Sequence, residues 1–418
     1  MNKKPVNGMR DILPEEMAVR NRVLSVIRDC YTSFGFTEIE TPVCESIENL
    51  TGKLGGENEK LIFKIMKRGE KLDIAGAKSE NDLADSGLRY DLTLPLSRYY
   101  ANHQAELPKP FKALQIGPVF RADRPQKGRF REFYQCDIDI LGEPGILAET
   151  ELILATSTAL SRLGFGNVTV RLNDRRLLKA MALQSGFPEA ALPEIFIILD
   201  KLDKIGLSGV KEELIQAGYT EESADHCLSF FEAAAGKDTA EALAAFKTLL
   251  SGAAEENVIR DLQEIVSTLY DLLPDGFSLA FDPSLVRGMG YYTGPIFEIA
   301  VPEFNSSVGG GGRYDEMIGR FSGVQVPACG FSIGFERIVS ILTERKTSEA
   351  EEEKTAVLME KGLSPEKRNE VMKKAMEARE KGATVLVLNM AKNRRFQKEQ
   401  LEQAGYTKIT EVYENPLN

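Results

Sequence analysis

One basic hairpin constrains this chain more than any other feature. Residues 114–121 and Glu132 to Leu141 alternate polar and apolar side chains and read as two strands. A Pro/Gly-containing break separates them. The twenty residues from Phe120 to Asp139 carry five cations: Arg121, Arg124, Lys127, Arg129 and Arg131. A long basic loop is a poor core element but a good clamp for polyanions, because guanidinium offers phosphate oxygens planar, permanently charged donors. Alternate residues share a face, so Gln135, Asp137 and Asp139 are predicted to point one way. Cations for a phosphate and acceptors for an amine-bearing ligand thus lie side by side. An exposed hairpin with solvated charges would fit the same letters.

The 418 residues exceed one typical domain, so two or three are expected. With 43% hydrophobic and 28% charged residues, composition is that of a soluble globular protein. No apolar run is long enough for a transmembrane helix, and the N-terminus lacks the apolar stretch of a secretory signal. Cys30, Cys44, Cys136, Cys227 and Cys329 are odd in number and scattered, which fits reduced thiols in a cytoplasm. Only His103 and His226 are present, and no paired Cys spacing occurs, which argues against structural zinc. A formal charge of −11 argues against indiscriminate nucleic-acid binding. From Lys354 onward, however, 13 Lys/Arg face 9 Asp/Glu, which permits a local polyanion contact.

The fold class expected is α+β. Residues 15–33 carry an amphipathic helical pattern, and Phe36 to Val43 alternates like an edge strand bearing Pro42. Residues 64–89 read as a mobile loop or extended hairpin. Six helical patterns follow between about 175 and 268, then glycine-rich strand text from Phe277. The expected organisation is a core in two parts, 1–172 and 275–346, interrupted by a helical insertion at 173–274. A short acidic linker at 347–354 leads to a small unit at 355–418, whose strand–helix alternation implies α/β crossovers.

Four stretches join the hairpin as candidates for chemistry. They are Gly8 to Pro14; Arg89 to Pro95, read as a short strand carrying Asp91 and Thr93; Val286 to Gly294 with Gly309 to Asp315; and Ala328 to Arg337. Gly309 to Gly312 admits a flexible loop or a backbone that approaches a ligand closely. It is no phosphate loop, since no Gly-Lys-Ser/Thr follows. Arg337 admits a paired structural role, and Tyr291 and Tyr292 could be core aromatics.

In this order, the stretches resemble the class II aminoacyl-tRNA synthetases, most closely the histidyl-tRNA synthetases. The resemblance runs from Gly8 to about Leu342 and weakens afterwards. Phe120 to Phe133 is similar to the second motif of that class, Gly330 to Arg337 to the third, and the segment ending at Pro42 to the first, a dimer interface in the family. Arg287 to Tyr292 and Gly311 to Asp315 are near-matches to segments particular to histidyl enzymes. Asn173 to Arg176 and Leu199 to Lys204 resemble text of their helical insert.

The resemblance implies an antiparallel sheet core, a cytoplasmic homodimer and two steps. Histidine and ATP, with Mg²⁺ bridging the phosphates, give histidyl-adenylate; the acyl group then passes to tRNA(His). It further implies catalytic roles for Arg121, Arg287 and Arg337. Arg121 would hold the α-phosphate, Arg129 and Arg337 the outer phosphates, and Phe133 would stack on adenine. Asp123 stands where the family has Glu beside the nucleotide, and Arg287 would sit near the α-phosphate and the substrate carboxylate. Asp91, Thr93 and Gln135 would bind the α-ammonium, while Asp139, Tyr292 and Tyr314, with Tyr291, would address the imidazole. No protein-bound metal is implied.

Three departures stand out. Gly290 takes the place of the family Asp, a polar insertion occupies Ala75 to Gly87, and the last unit is expected to be a shortened anticodon-binding domain. Lys392, Arg394, Arg395 and Lys398 there could meet RNA phosphates or form a solvated helix face. The competing reading is a catalytically idle paralogue serving as the histidine-sensing regulatory subunit of ATP phosphoribosyltransferase, with that enzyme's catalytic chain as partner. A third is an enzyme that passes histidyl-adenylate to another acceptor.

Overall fold

A computed structural model describes residues 1–51, 56–126, 128–250, 256–286, 291–304, 307–345 and 354–415. They form two compact units, Met1–Ile341 and Leu342–Asn418. In the first, the strands are β1 (Thr37–Glu38), β2 (Cys44–Ser46), β3 (Lys64–Met66), β4 (Ala84–Leu88), β5 (Phe111–Phe120), β6 (Glu132–Leu141), β7 (Val168–Asp174), β8 (Phe277–Phe281), β9 (Pro295–Ala300), β10 (Gly309–Arg313) and β11 (Ala328–Gly334). Eight of them make one sheet in the order β1-β5-β6-β11-β10-β9-β7-β8. Its interior pairs are antiparallel, and only the edge strands β1 and β8 run parallel to their neighbours.

The basic hairpin is β5–β6, paired antiparallel from Phe111↔Leu141 to Phe120↔Glu132. Period-two alternation then divides β6. Cys136, Ile138 and Ile140 are buried, while Gln135, Asp137 and Asp139 line a cavity. The helix Leu147–Arg162 lies on β6 and β11 and packs against Pro14–Ser33. Tyr31 Oη and Thr156 Oγ1, 3.2 Å apart, join those two helices.

Parallel neighbours need a crossover connection, and β7 and β8 are joined by one made of six helices. These run Arg175–Gln184, Leu192–Leu199, Leu202–Gln216, Glu221–Ala234, Thr239–Leu249 and Glu256–Tyr270. Phe246 links them to the sheet, its ring centre lying 5.3 Å from Phe230 and 5.0 Å from Phe281 of β8.

Three local expectations change. The strand expected from Phe36 to Val43 contracts to Thr37–Glu38, since Pro42 has no N–H to offer a ladder. Of the two readings of residues 64–89, the mobile loop gives way to the extended hairpin: β3 and β4 pair antiparallel, β2 joins them, and a Ser79/Asp82 capping box holds the text between. Arg89 to Pro95 is not a strand: Thr93 opens the helix Thr93–His103, and Asp91 Oδ1 accepts from Leu94 N at 3.0 Å. Local carboxylate-to-backbone bonding of this kind favours a helix start over a ladder.

In the second unit, β12 (Lys354–Met359), β13 (Val385–Asn389) and β14 (Tyr406–Val412) form a parallel sheet in the order β13-β12-β14. The helices Pro365–Glu380 and Arg394–Gln403 make its crossovers.

Candidate active site

Gly309 to Gly312 form β10, a strand rather than a loop, and lie between β9 and β11. Alternate residues share a face, so Gly310 and Gly312, with Gly330 of β11, leave one face of the sheet without side chains there, while Gly309 and Gly311 turn toward Phe331 and Phe297. Asp139 and Tyr292 lean over that bare face. A Cβ on Gly330 would fall 2.0 Å from Asp139 Oδ1, and one on Gly312 would fall 3.0 Å from the Tyr292 ring.

Above it opens a cavity of about 210 Å³, on the scale of one amino acid. Asp91, Asp137 and Asp139 bring three carboxylates into it and Arg121 one guanidinium. Asp139, only 2% exposed, accepts from Tyr314 Oη at 2.5 Å through Oδ1. Its Oδ2 is buried without a hydrogen-bond partner, as is Gln135 Oε1. Burial pushes the Asp139 carboxyl up to about 7, against the pull of the Tyr314 hydroxyl, and Asp91 adds to the rise. Burial and then the Asp139 charge raise Asp137 well above the carboxylate range, opposed by its bond from Ser332 Oγ. Burial raises Asp91 as well and pushes the Tyr291 phenol up to about 12, which keeps that hydroxyl a neutral donor.

A second cavity, of about 710 Å³, is lined by Arg129, Arg171, Lys204 and Arg337 with Glu298 among the acids. Register explains how the two are related. Asp137, Ser332, Gly310, Glu298 and Arg171 are consecutive partners across β6, β11, β10, β9 and β7. The row spans about 19 Å at ~4.8 Å per strand. It begins among carboxylates, passes the bare Gly310 and ends among cations. A ligand that carries an amine at one end and a polyphosphate at the other fits such a trough.

A profile of the histidyl-tRNA synthetase family matches residues 8–338. The chain belongs to that family. A histidine–tRNA ligase of Leifsonia xyli subsp. xyli is 52% identical over 344 residues, 81% of this chain and 80% of the relative. A probable histidine–tRNA ligase of Tropheryma whipplei strain Twist is 40% identical over 428 residues, covering 99% of this chain and 96% of its own. Similarity to it therefore runs through the C-terminal unit. Among solved structures, histidyl-tRNA synthetase from Nostoc sp. PCC 7120 superposes with a TM-score of 0.80 at 26% identity, covering 97% of this chain and 90% of its own. A Bacillus halodurans C protein described as an ATP phosphoribosyltransferase regulatory subunit/histidyl-tRNA synthetase gives 0.79 at 21%, covering 99% and 98%. At that identity it shows the fold alone.

Against this family frame, Asp91, Thr93, Arg121, Gln135, Asp139, Tyr291, Tyr292 and Tyr314 all line the first cavity, while Arg129 and Arg337 line the second. Arg121 donates from Nε to Tyr90 O at 2.8 Å and stacks 5.1 Å from the Phe133 ring centre. Phe133 itself lines neither cavity. Arg129 is paired with Asp123 at 2.9 Å. Arg337 donates to Ser307 O and lies 5.5 Å from the Phe304 ring centre. Arg287 and Gly290 lie outside the described residues.

Sequence reasoning missed several partners. Ser332 faces Asp137 in register, Glu298 and Lys204 enter the second cavity, and Glu336 binds Arg20 at 2.5 and 2.9 Å. Arg313 proves to be an anchor, held by the buried Glu149 at 2.6 and 2.8 Å. Strand alternation around Ser332 offered a signal for that residue; Glu298 depends on which strands become neighbours, and Lys204 and Glu336 on where their helices pack.

Proposed function

We propose that this chain is a histidine–tRNA ligase that activates L-histidine with ATP and transfers it to tRNA(His). The observation that carries this reading is the unpartnered Asp139 Oδ2 buried in the first cavity beside neutral phenols. An imidazole N–H is a donor of the right kind for it. A buried acceptor left unpaired strongly penalises amino acids that bring no donor. Gln135 Oε1, also without a partner, and the Asp91 carboxylate would receive the α-ammonium with Thr93.

The substrate carboxylate attacks the α-phosphorus in line, and pyrophosphate leaves. Attacker and target are both anionic, so fixed cations must neutralise the charge that develops. Arg121, oriented by its bond to Tyr90 O, would hold the α-phosphate, with Arg287 near it. Arg129 and Arg337 would hold the outer phosphates, Asp123 would flank the nucleotide, and Phe133 would supply an adenine-stacking face. The second cavity fits Mg²⁺ carried in on the phosphates, since Glu298 offers a carboxylate there. When bound, the ion would supply further neutralisation of phosphate charge.

The family further supports a cytoplasmic homodimer; no helix among the described residues is long and apolar enough to cross a membrane. The C-terminal unit would meet the anticodon arm through Lys392, Arg394, Arg395 and Lys398. A regulatory-subunit role has no observation of its own, whereas Arg121, Arg129 and Arg337, three of the four cations that adenylation needs, line the cavities. Histidine-dependent ATP–pyrophosphate exchange tests the proposal. Exchange with histidine and no other amino acid is expected; histidine binding without exchange would overturn it.

A further inference from the structure

A third cavity, of about 480 Å³, lies between the crossover helices and the sheet side of the first unit. Tyr291 and Tyr292 line it and also line the first cavity, so the two spaces share a wall. Its volume suits a small organic ligand. Phe196, Leu192 and Pro193 give it an apolar side.

Arg175 is the informative residue. Its Cζ lies 4.6 Å from the Phe196 ring centre, and its Nη1 is buried with no hydrogen-bond partner. Neighbouring charges are already matched. Asp174 takes Arg176 at 2.7 Å and also accepts from Arg176 N, while Glu189 takes Lys179 at 2.5 Å. Arginine cannot shed its proton, so a desolvated N–H without an acceptor is a standing cost. Burial pulls Arg175 below the usual guanidinium range, and Asp174 offsets that only in part. The backbone allows no easy retreat, since Arg175 N donates to Gly294 O at 3.0 Å. An anion seated in the cavity would remove the cost.

The charges on the walls indicate which anion. Arg176 is taken by Asp174 and Lys179 by Glu189, which leaves Arg175 and Arg320 facing Glu316. Two arginines in one cavity suit an anion with several acceptor oxygens, and the guanidinium fork matches phosphate. We propose that this cavity binds a small molecule bearing a terminal phosphate, with Arg175 as its anchor. None of its residues is a cation assigned to ATP, of which Arg121 lines the first cavity and Arg129 and Arg337 the second.

The test is thermal unfolding of the full chain in glycerol 3-phosphate, against chloride of equal ionic strength. An Arg337→Met background weakens the second cavity and so isolates the third. In that background glycerol 3-phosphate is expected to raise the midpoint, and adding Arg175→Met is expected to abolish the rise. An equal rise with and without Arg175 would overturn the proposal. Dimethyl phosphate, a monoanionic diester, is expected to give no rise; a rise as large as that from the monoester would assign the site to a nucleic-acid backbone and overturn the small-molecule reading. Should Arg175→Met fail to fold, Arg320→Gln on the exposed rim decides. A severalfold weaker dissociation constant for glycerol 3-phosphate supports the site, and an unchanged one overturns it.

Discussion

The two cavities on the sheet face differ in the sign of their lining. The first holds Asp91, Asp137 and Asp139, with Arg121 its one lining cation among the described residues. The second holds Arg129, Arg171, Lys204 and Arg337, against Asp200, Asp203 and Glu298. Both touch the same row of the same sheet, with Asp137 of β6 at one end and Arg171 of β7 at the other, while loops and helices supply Arg129, Lys204 and Arg337. The difference teaches how one surface can take an amine-bearing ligand and a polyphosphate together without either end attracting the wrong partner. Acids raised by burial await a cationic or N–H donor; Arg129, oriented by Asp123, and Arg337, oriented by Ser307 O, await phosphate.

The strongest way to break this comparison is to remove the one cation that lines the first cavity among the described residues. Arg121→Ala is expected to lower histidine-dependent exchange by about 10²–10³-fold or more, with the fold retained, as loss of a preorganised transition-state donor does. Circular dichroism alongside the exchange assay checks both halves. Next in size is the trough itself. A Cβ at Gly310 falls 3.3 Å from Phe297 O, a tight contact with β9, and 4.0 Å from Glu298 Cα, so Gly310→Ala is the smallest change that narrows the passage between cavities, with circular dichroism to check the fold. Exchange should fall by about 10–100-fold with histidine binding by calorimetry retained, the pattern of a lost reacting geometry. Loss of histidine binding as well would show that the passage belongs to the first cavity.

Asp139→Asn sharpens the comparison from the acid end. The KM for histidine should rise by about 10–100-fold, from loss of a charged acceptor. The same variant carries a pH signature. The Asp139 carboxyl, held up to about 7, binds its proton more tightly in the folded chain than unfolded. Its contribution therefore favours the folded state in acid and is lost as pH rises through about 7. Asp137 and Asp91 shift the same way. Relative to the parent protein, Asp139→Asn should gain stability between about pH 5 and about pH 8, a trend that unfolding midpoints at those two values would reveal. Smallest is the tail: replacing Lys392, Arg394, Arg395 and Lys398 with alanine should raise the KM for tRNA(His) a few-fold and flatten its salt dependence. Exchange should not change.

Much of this was legible in the letters. The period-two text from Glu132 to Leu141 became β6, with Gln135, Asp137 and Asp139 on the cavity side. The six helical patterns became the crossover from β7 to β8. What failed was local competition. Asp91 and Thr93 read as extended, but a carboxylate capping Leu94 N turned the segment into a helix start. Gly309 to Gly312 looked equally like a loop, because glycine carries no side-chain pattern; two flanking strands made it the centre of the sheet.

The sequence by itself determined the family, the hairpin and which residue types would meet the substrates, since periodicity and motif spacing are properties of a linear chain. Tertiary structure alone decided which polar groups are left wanting. Asp139 spends one oxygen on Tyr314, 175 positions away, and keeps the other for a ligand. Arg313 is consumed by Glu149, 164 positions away, while Arg175 keeps a buried nitrogen without an acceptor. The physical reason is that hydrogen-bond satisfaction and desolvation depend on neighbours brought together across the sheet, and strand order is not written in any local stretch of the chain.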